Sequence, residues 1–217
     1  MNQKKIFLSA AAIPVLLLSS CIGVSSSITL RRNGSGTMSL EYHIPLALEA
    51  LGQLDGNAGW LTIPVGKADF ERTLDRLPGI RMVSFSSQKN GKDLLNRIEL
   101  EFSDMEALLP FLDAAGQGAS LSRENGASRL SLTLSEGLEN PEEELLTLLS
   151  SLSDGYKLDI SFSVPEEASL ALYSGGGKAL DSIPSGTVTA QGKQVSFTAP
   201  MAEVLSSREG LRMEISW

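Results

Sequence analysis

Cys21 and His43 are the chain's one cysteine and one histidine, the two side chains best suited to making or breaking a bond. A catalytic thiolate needs an electropositive, structured niche. Gly-Val-Ser-Ser-Ser (23–27), just downstream of Cys21, supplies none. A disulfide needs a second thiol, and the chain carries none. What is left for Cys21 is a buried structural thiol or service as an attachment point. His43 has the chemistry of a general base, which a serine triad requires. It shares the polar face of Thr37–Ile44 with Glu41, the position of an exposed surface histidine. No G-x-S-x-G elbow surrounds any serine.

Other near-motifs resolve in the same direction. GSGTMS (34–39) approaches G-x-G-x-x-G but lies between two strand patterns rather than before a helix, so it reads as a hairpin turn. GGGK (175–178) lacks the first glycine of a phosphate-binding loop and continues into Ala179, so it reads as a flexible loop. Glu142, Glu143 and Glu144 follow Asn140 and Pro141, where acids meet the positive end of a helix. No calcium-loop run is present. The expectation is a protein without catalytic residues, metal or cofactor.

The residues before Cys21 explain it. Lys4 and Lys5 form a short positive head, and an apolar stretch follows from Ile6 to Leu18. As a helix that stretch reaches roughly 20 Å, short of the ~30 Å hydrocarbon core of a bilayer. Small residues, Ser19 and Ser20, close it. This is the pattern of a secretory signal peptide over residues 1–20. Leu18-Ser19-Ser20-Cys21 resembles the lipobox of bacterial lipoproteins. That resemblance implies cleavage between Ser20 and Cys21, a diacylglycerol group on the Cys21 thiol, and a further acyl chain such as palmitate on the new amino group. Several chains anchor far more firmly than one. The expected organisation is a cleaved signal peptide (1–20), a lipidated cysteine with a short tether (21–27), and a single domain (28–217) outside the cytoplasm. It would be held at the inner or the outer membrane of a bacterial envelope.

The full chain carries a formal charge of −8, and loss of Lys4 and Lys5 makes it more acidic. Such a surface argues against nucleic acid and against electrostatic binding to anionic headgroups. No later apolar run is long enough for a second span.

Beyond Ile28 strands and helices alternate. SITLRR and TMSLEYHI flank Asn33-Gly34, a hairpin signal. Met38, Leu40, Tyr42 and Ile44 share one face of the second strand. The stretch at 45–54 reads as a short helix, and residues 67–77 as an amphipathic one with Phe70, Leu74 and Leu77 on one side. A second hairpin turns at Asn90-Gly91, and a helix follows a capping box at Ser103–Glu106, with Pro110 set to kink or shorten it. A third hairpin turns at Asn125-Gly126. The next helix has Asn140 as cap, Pro141 as first residue and Leu145, Leu149 and Leu152 as its buried stripe. A strand with Leu158, Ile160, Phe162 and Val164 inward, a hairpin over 186–199, a short helix at Ala202–Ser207 and a last strand to Trp217 complete the chain. The fold class expected is α+β, an antiparallel sheet built from repeated β-hairpin–helix units, with helices covering one face.

Cys21 followed almost at once by a strand, GSG at 34–36 and SGTVTAQGKQVSF at 185–197 together resemble the extracytoplasmic domain of LppM-like lipoproteins. The C-terminal membrane helix often carried by that family has no counterpart here. The resemblance implies an envelope domain with a cavity suited to lipids or lipoglycans. Trp60, flanked by Leu61, Ile63 and Val65, is either a core anchor or a lid over such a cavity. The expected function is a membrane-anchored, non-enzymatic lipoprotein that binds an apolar envelope ligand, a lipid or lipoglycan. The alternative is a structural or assembly factor that binds another envelope protein.

Overall fold

Alternation of polar and apolar residues organises the first strands. The computed structural model describes residues 23–46, 66–113, 118–124, 126–138 and 141–217. In Val24–Leu30 (β1), Ser26, Ile28 and Leu30 are buried, while Ser25, Ser27 and Thr29 are exposed. β1 turns at Asn33-Gly34 and pairs antiparallel with Gly36–Pro45 (β2). Gly34 sits at φ +87°, a conformation in which a Cβ is strained. The Asn33 side-chain oxygen accepts from the Ser35 N–H at 3.2 Å and from its hydroxyl at 2.9 Å, so the turn residue fixes its own loop.

The remaining elements follow as Lys67–Leu74 (α1), Ile80–Asn90 (β3), Asp93–Phe102 (β4), Met105–Leu112 (α2), Ala119–Glu124 (β5), Ala127–Ser135 (β6) and Glu143–Ser153 (α3). Then come Lys157–Ser163 (β7), Ser169–Ser174 (β8), Ala179–Leu180 (β9), Thr187–Gln191 (β10), Gln194–Pro200 (β11), Met201–Leu205 (α4) and Leu211–Ser216 (β12). The chain is α+β with mostly antiparallel sheets.

The sequence suggests one sheet, and the described residues build two. Seven strands run in the order β10-β11-β7-β1-β2-β4-β3, and five in the order β5-β6-β12-β8-β9. The third hairpin and the last strand leave the first sheet for the second, where Leu130, Leu132, Leu211, Met213 and Ile215 are buried. One apolar cluster unites these with Ile28, Ile98, Leu100, Phe162 and Phe197 of the larger sheet. Each such side chain contributes about 1.5–3 kcal/mol on burial. α4 places Met201, Val204 and Leu205 in the same cluster.

Ladder pairing also departs from pure hairpins. β7 lies parallel to β1, with Val24 opposite Leu158 and Ile28 opposite Phe162. β2 occupies only one edge of β1, and β7 has the same inward phase, so it fills the other.

Local differences have local causes. The α2 cap is Asp104 rather than Ser103: its carboxylate accepts from the Ala107 N–H at 2.8 Å. Pro141 precedes the helix instead of opening it, because α3 starts at Glu143. In α3 Leu149 is buried and Leu145 half-buried, but Leu152 is 40% exposed. The buried place at that end belongs to Ser153, whose hydroxyl donates to the Leu149 carbonyl. β8 and β9 were not signalled by the sequence, and GGGK forms the turn between them. Residues 1–22 with the signal peptide, Ser20 and Cys21, most of the helix expected at 45–54, Trp60, Asn125 and Asn140 lie outside the described residues.

The polar face of the larger sheet is continuous across the ladder. One rung reads Thr187, Thr198, Asp159, Ser25, Glu41, Arg97 and Ser86, and the next Thr189, Ser196, Ser161, Ser27, Ser39, Glu99 and Ser84. All of these are exposed or half-buried. The register that creates them depends on Gly36. A methyl there would collide with the Phe102 ring and the Thr29 carbonyl oxygen. Gly36→Ala is expected to lower stability in urea by about 1–3 kcal/mol through overpacking. Gly176→Ala meets nothing nearer than the Ser174 hydroxyl at 3.8 Å and should stay within about 0.5 kcal/mol of the parent. Equal midpoints for the two variants would contradict this register.

Candidate functional site

Four strand ends converge at one end of the larger sheet. β1 begins there, and its antiparallel partner β2 ends there. β4 begins there after the turn from β3, and β7 begins there because it runs parallel to β1. Between them is a cleft of about 420 Å³ lined by Gly23, Ser25, Glu41, His43, Asp93, Tyr156, Lys157 and Asp159, together with Val24, Asn90 and Gly155. That size suits a small molecule or a headgroup.

His43 is not the open surface histidine expected from alternation. Its side chain is 28% exposed, and its ring stands 6.2 Å from the Tyr156 ring at a 53° tilt. Gly23 makes room for both. A Cβ at residue 23 would lie 3.1 Å from Tyr156 Cδ1 and 3.6 Å from His43 Cδ2. The backbone closes the corner as well, since the His43 N–H donates to the Gly23 carbonyl at 3.0 Å.

Asp93 is the most enclosed charge of the site, at 8% exposure. The Tyr156 hydroxyl donates to its Oδ2 at 2.8 Å. His43 Nδ1 approaches the same oxygen at 3.8 Å, too far for a hydrogen bond. Asp93 Oδ1 is buried with no hydrogen-bond partner among the described residues. On the other side of the ring, His43 Nε2 is 4.0 Å from Glu41 Oε1, and the other Glu41 oxygen accepts from Arg97 Nε. Asp159 and Lys157 make no ion pair among the described residues.

Ser25 lines the cleft but makes no side-chain hydrogen bond among the described residues. The carboxylate oxygen nearest His43 is already held by Tyr156. The arrangement therefore presents oriented acceptors and two aromatic walls rather than an activated hydroxyl. Among the described residues no three His, Cys, Asp or Glu side chains are grouped to hold a metal ion.

Of the residues singled out from the sequence, the structure brings His43 to the cleft, while Cys21, Ser20 and Trp60 lie outside the described residues. Sequence reasoning missed Asp93, Tyr156, Lys157 and Asp159. One signal was available: Asp93-Leu94-Leu95-Asn96 breaks the alternation that Arg97–Phe102 keeps, and all four are buried. A strand buried on both faces at one end has something packed over its polar side, and here that includes His43 and Tyr156.

No family model matches the chain, and no curated protein matches it. No helix of the described residues is long and apolar enough to cross a membrane.

Tyr156 and Asp93 are sixty-three residues apart in sequence, so their bond ties the α3–β7 turn to the β3–β4 hairpin. Tyr156→Phe leaves Asp93 Oδ2 without that donor and is expected to cost about 1–3 kcal/mol. A double-mutant cycle with Asp93→Asn should give a coupling of about 1 kcal/mol or more. A coupling near zero would show that the hydroxyl and the carboxylate do not stabilise one another.

Proposed function

We propose that the chain is a membrane-anchored bacterial lipoprotein whose domain binds the polar head of an envelope lipid or lipoglycan without turning it over. The observation that carries this is the position of Gly23. It lines the cleft, and it stands two residues after Cys21. Two residues reach at most about 7 Å. An acylated Cys21 would therefore hold the mouth of the cleft at the level of the headgroups. The lining favours a polar head over an acyl tail, since its side chains are mainly charged or hydrogen-bonding.

The distances around His43 support binding rather than catalysis. We further read the element order as hairpin–helix units, with helices over the apolar side of the larger sheet and the hydroxyl-bearing side left open toward the envelope. A second reading, an assembly factor that binds another envelope protein, draws on β3. This strand is eleven residues long and lies at the end of its sheet, with Val83 52% exposed. Such an edge is a template for a partner strand.

The test is expression of the full chain in a bacterial host supplied with labelled palmitate. The expected result is label and membrane retention for the parent, both lost in Cys21→Ser. Lipid extracted from the detergent-purified parent should approach one molecule per chain, and fall severalfold in Asp159→Arg, which alters the cleft at a half-buried position. An unlabelled parent would remove the anchor. Lipid at the same level in both proteins would remove the cleft as its site, and a stoichiometric co-purifying protein would favour the assembly factor.

A further inference from the structure

The β3–β4 hairpin extends beyond the start of β1. Gly23 lies level with His43, whose N–H donates to its carbonyl, and the same rung continues through Leu95 to Gln88. Two more rungs follow, Lys89 with Leu94 and Asn90 with Asp93, before the turn Gly91-Lys92. At about 3.4 Å per residue these rungs carry the hairpin about 7 Å past Gly23, and the turn adds to that. Cys21 stands two residues before Gly23 and reaches at most about 7 Å from it. The tip therefore extends as far as the attachment point itself. It is also braced, since the Leu46 N–H donates to the Lys92 carbonyl at 2.9 Å.

Net charge and local charge part at this end. Lys89 and Lys92 are exposed, and so is Lys157, which stands level with Gly23 because Leu158 is the partner of Val24. None of the three makes an ion pair among the described residues, whereas Arg81, Arg97, Arg123 and Arg212 each meet a carboxylate. The nearby acids are set back. Asp93 is buried. Glu41 and Asp159 lie opposite Ser25, two residues farther from the tip than Gly23, and Glu41 is held by Arg97. Asp154, exposed in the turn before Tyr156, is one charge against three. Lys89 is in phase with Phe85 on the apolar side of the sheet, and Lys157 with Asp159 on the polar side. A surface that meets both lysines lies across the end of the sheet, not against either face.

We propose that the hairpin tip is a second membrane contact: with Cys21 acylated, Lys89, Lys92 and Lys157 seat on the phosphates of anionic phospholipid headgroups and stand the larger sheet end-on to the bilayer. This rests on the anchor reading above and adds a docking surface to it. Lysine meets phosphate as a point charge, without the fixed geometry of arginine. Each lysine held near an anionic surface strengthens attachment about fivefold. Lys89-Asn90-Gly91-Lys92 carries no apolar side chain, so the tip stays among the headgroups and does not enter the hydrocarbon. The chain as a whole carries −8, so an anionic bilayer repels its average surface and attracts this end.

The experiment uses the full chain, lipidated in a bacterial host, purified in detergent and inserted into preformed vesicles. One set is phosphatidylcholine alone, the other phosphatidylcholine mixed with phosphatidylglycerol. Acetylation of each lysine by a membrane-impermeant reagent is followed by mass spectrometry. Lys193 is the internal reference, because it precedes Gln194, which pairs with the far end of β7. We expect Lys89, Lys92 and Lys157 to react about fivefold more slowly on the mixed vesicles than on the neutral ones. Lys193 should be unchanged, and high salt should remove the difference. In Lys89→Glu/Lys92→Glu, altered at two exposed positions, Lys157 should lose most of its protection while acylation persists. Equal rates on the two kinds of vesicle, with the parent acylated and attached, would overturn the hairpin contact and leave the anchor standing. Slowing of Lys193 to the same extent would overturn the end-on orientation. A parent without acyl chains would remove the anchor and this contact with it.

Discussion

Every ladder in the larger sheet is counted outward from β1. Like β7, it has an antiparallel partner on one edge and a parallel partner on the other. Its burial alternates without exception from Ser25 to Leu30. Because side chains alternate with period two, a slip of one residue would turn Ile28 and Leu30 to solvent and Ser27 and Thr29 into the core. That penalty fixes β2 and β7, and through them β4, β3, β11 and β10. The polar rungs that run from Thr187 to Ser86 and from Thr189 to Ser84 follow from the same register.

The direction of β7 decides where the cleft is. An antiparallel β7 would bring its end, not its start, beside the start of β1. Tyr156 and Lys157 would then lie at the far side of the sheet from His43. With β7 parallel, the turn after α3 arrives next to the β3–β4 hairpin, and Tyr156 reaches Asp93. The Met201 N–H donates to the Tyr156 carbonyl at 2.9 Å, so the start of α4 braces the same residue from its backbone. A polar site is thus held by the apolar core on one side and by ladder bonds on the other.

The alternation of β1, β2, β6, β7 and β12 was readable because each strand has one wet face. Met38, Tyr42, Ile44, Leu158, Ile160 and Phe162 are buried as their spacing required. Turn chemistry at Asn33-Gly34 and Asn90-Gly91 was equally local and equally readable. The division into two sheets was not, because strand partners distant in sequence leave no trace in periodicity. β12 pairing with both β6 and β8 is one such choice, and β7 beside β1 is another. The cleft fell in the same blind spot. Its members come from the ends of separate strands, where alternation stops, and His43 alone stood out by residue type. The broken pattern at Asp93–Asn96 was the one mark left in the sequence.

Asp93 brings a carboxylate to the wall of the cleft at a cost in hydration. A charged group at 8% exposure loses most of its hydration. Tyr156 compensates one oxygen, and the other has no partner among the described residues. Packing alone would be served as well by an apolar residue, since Leu94 and Leu95 beside it are buried without difficulty. Replacing Asp93 with such a residue would remove the desolvation cost and take from the Tyr156 hydroxyl its bond to the carboxylate. A half-satisfied carboxylate thus stands at the convergence of four strand ends, beside positions that bury apolar side chains, and its desolvation is a cost the rest of the core offsets.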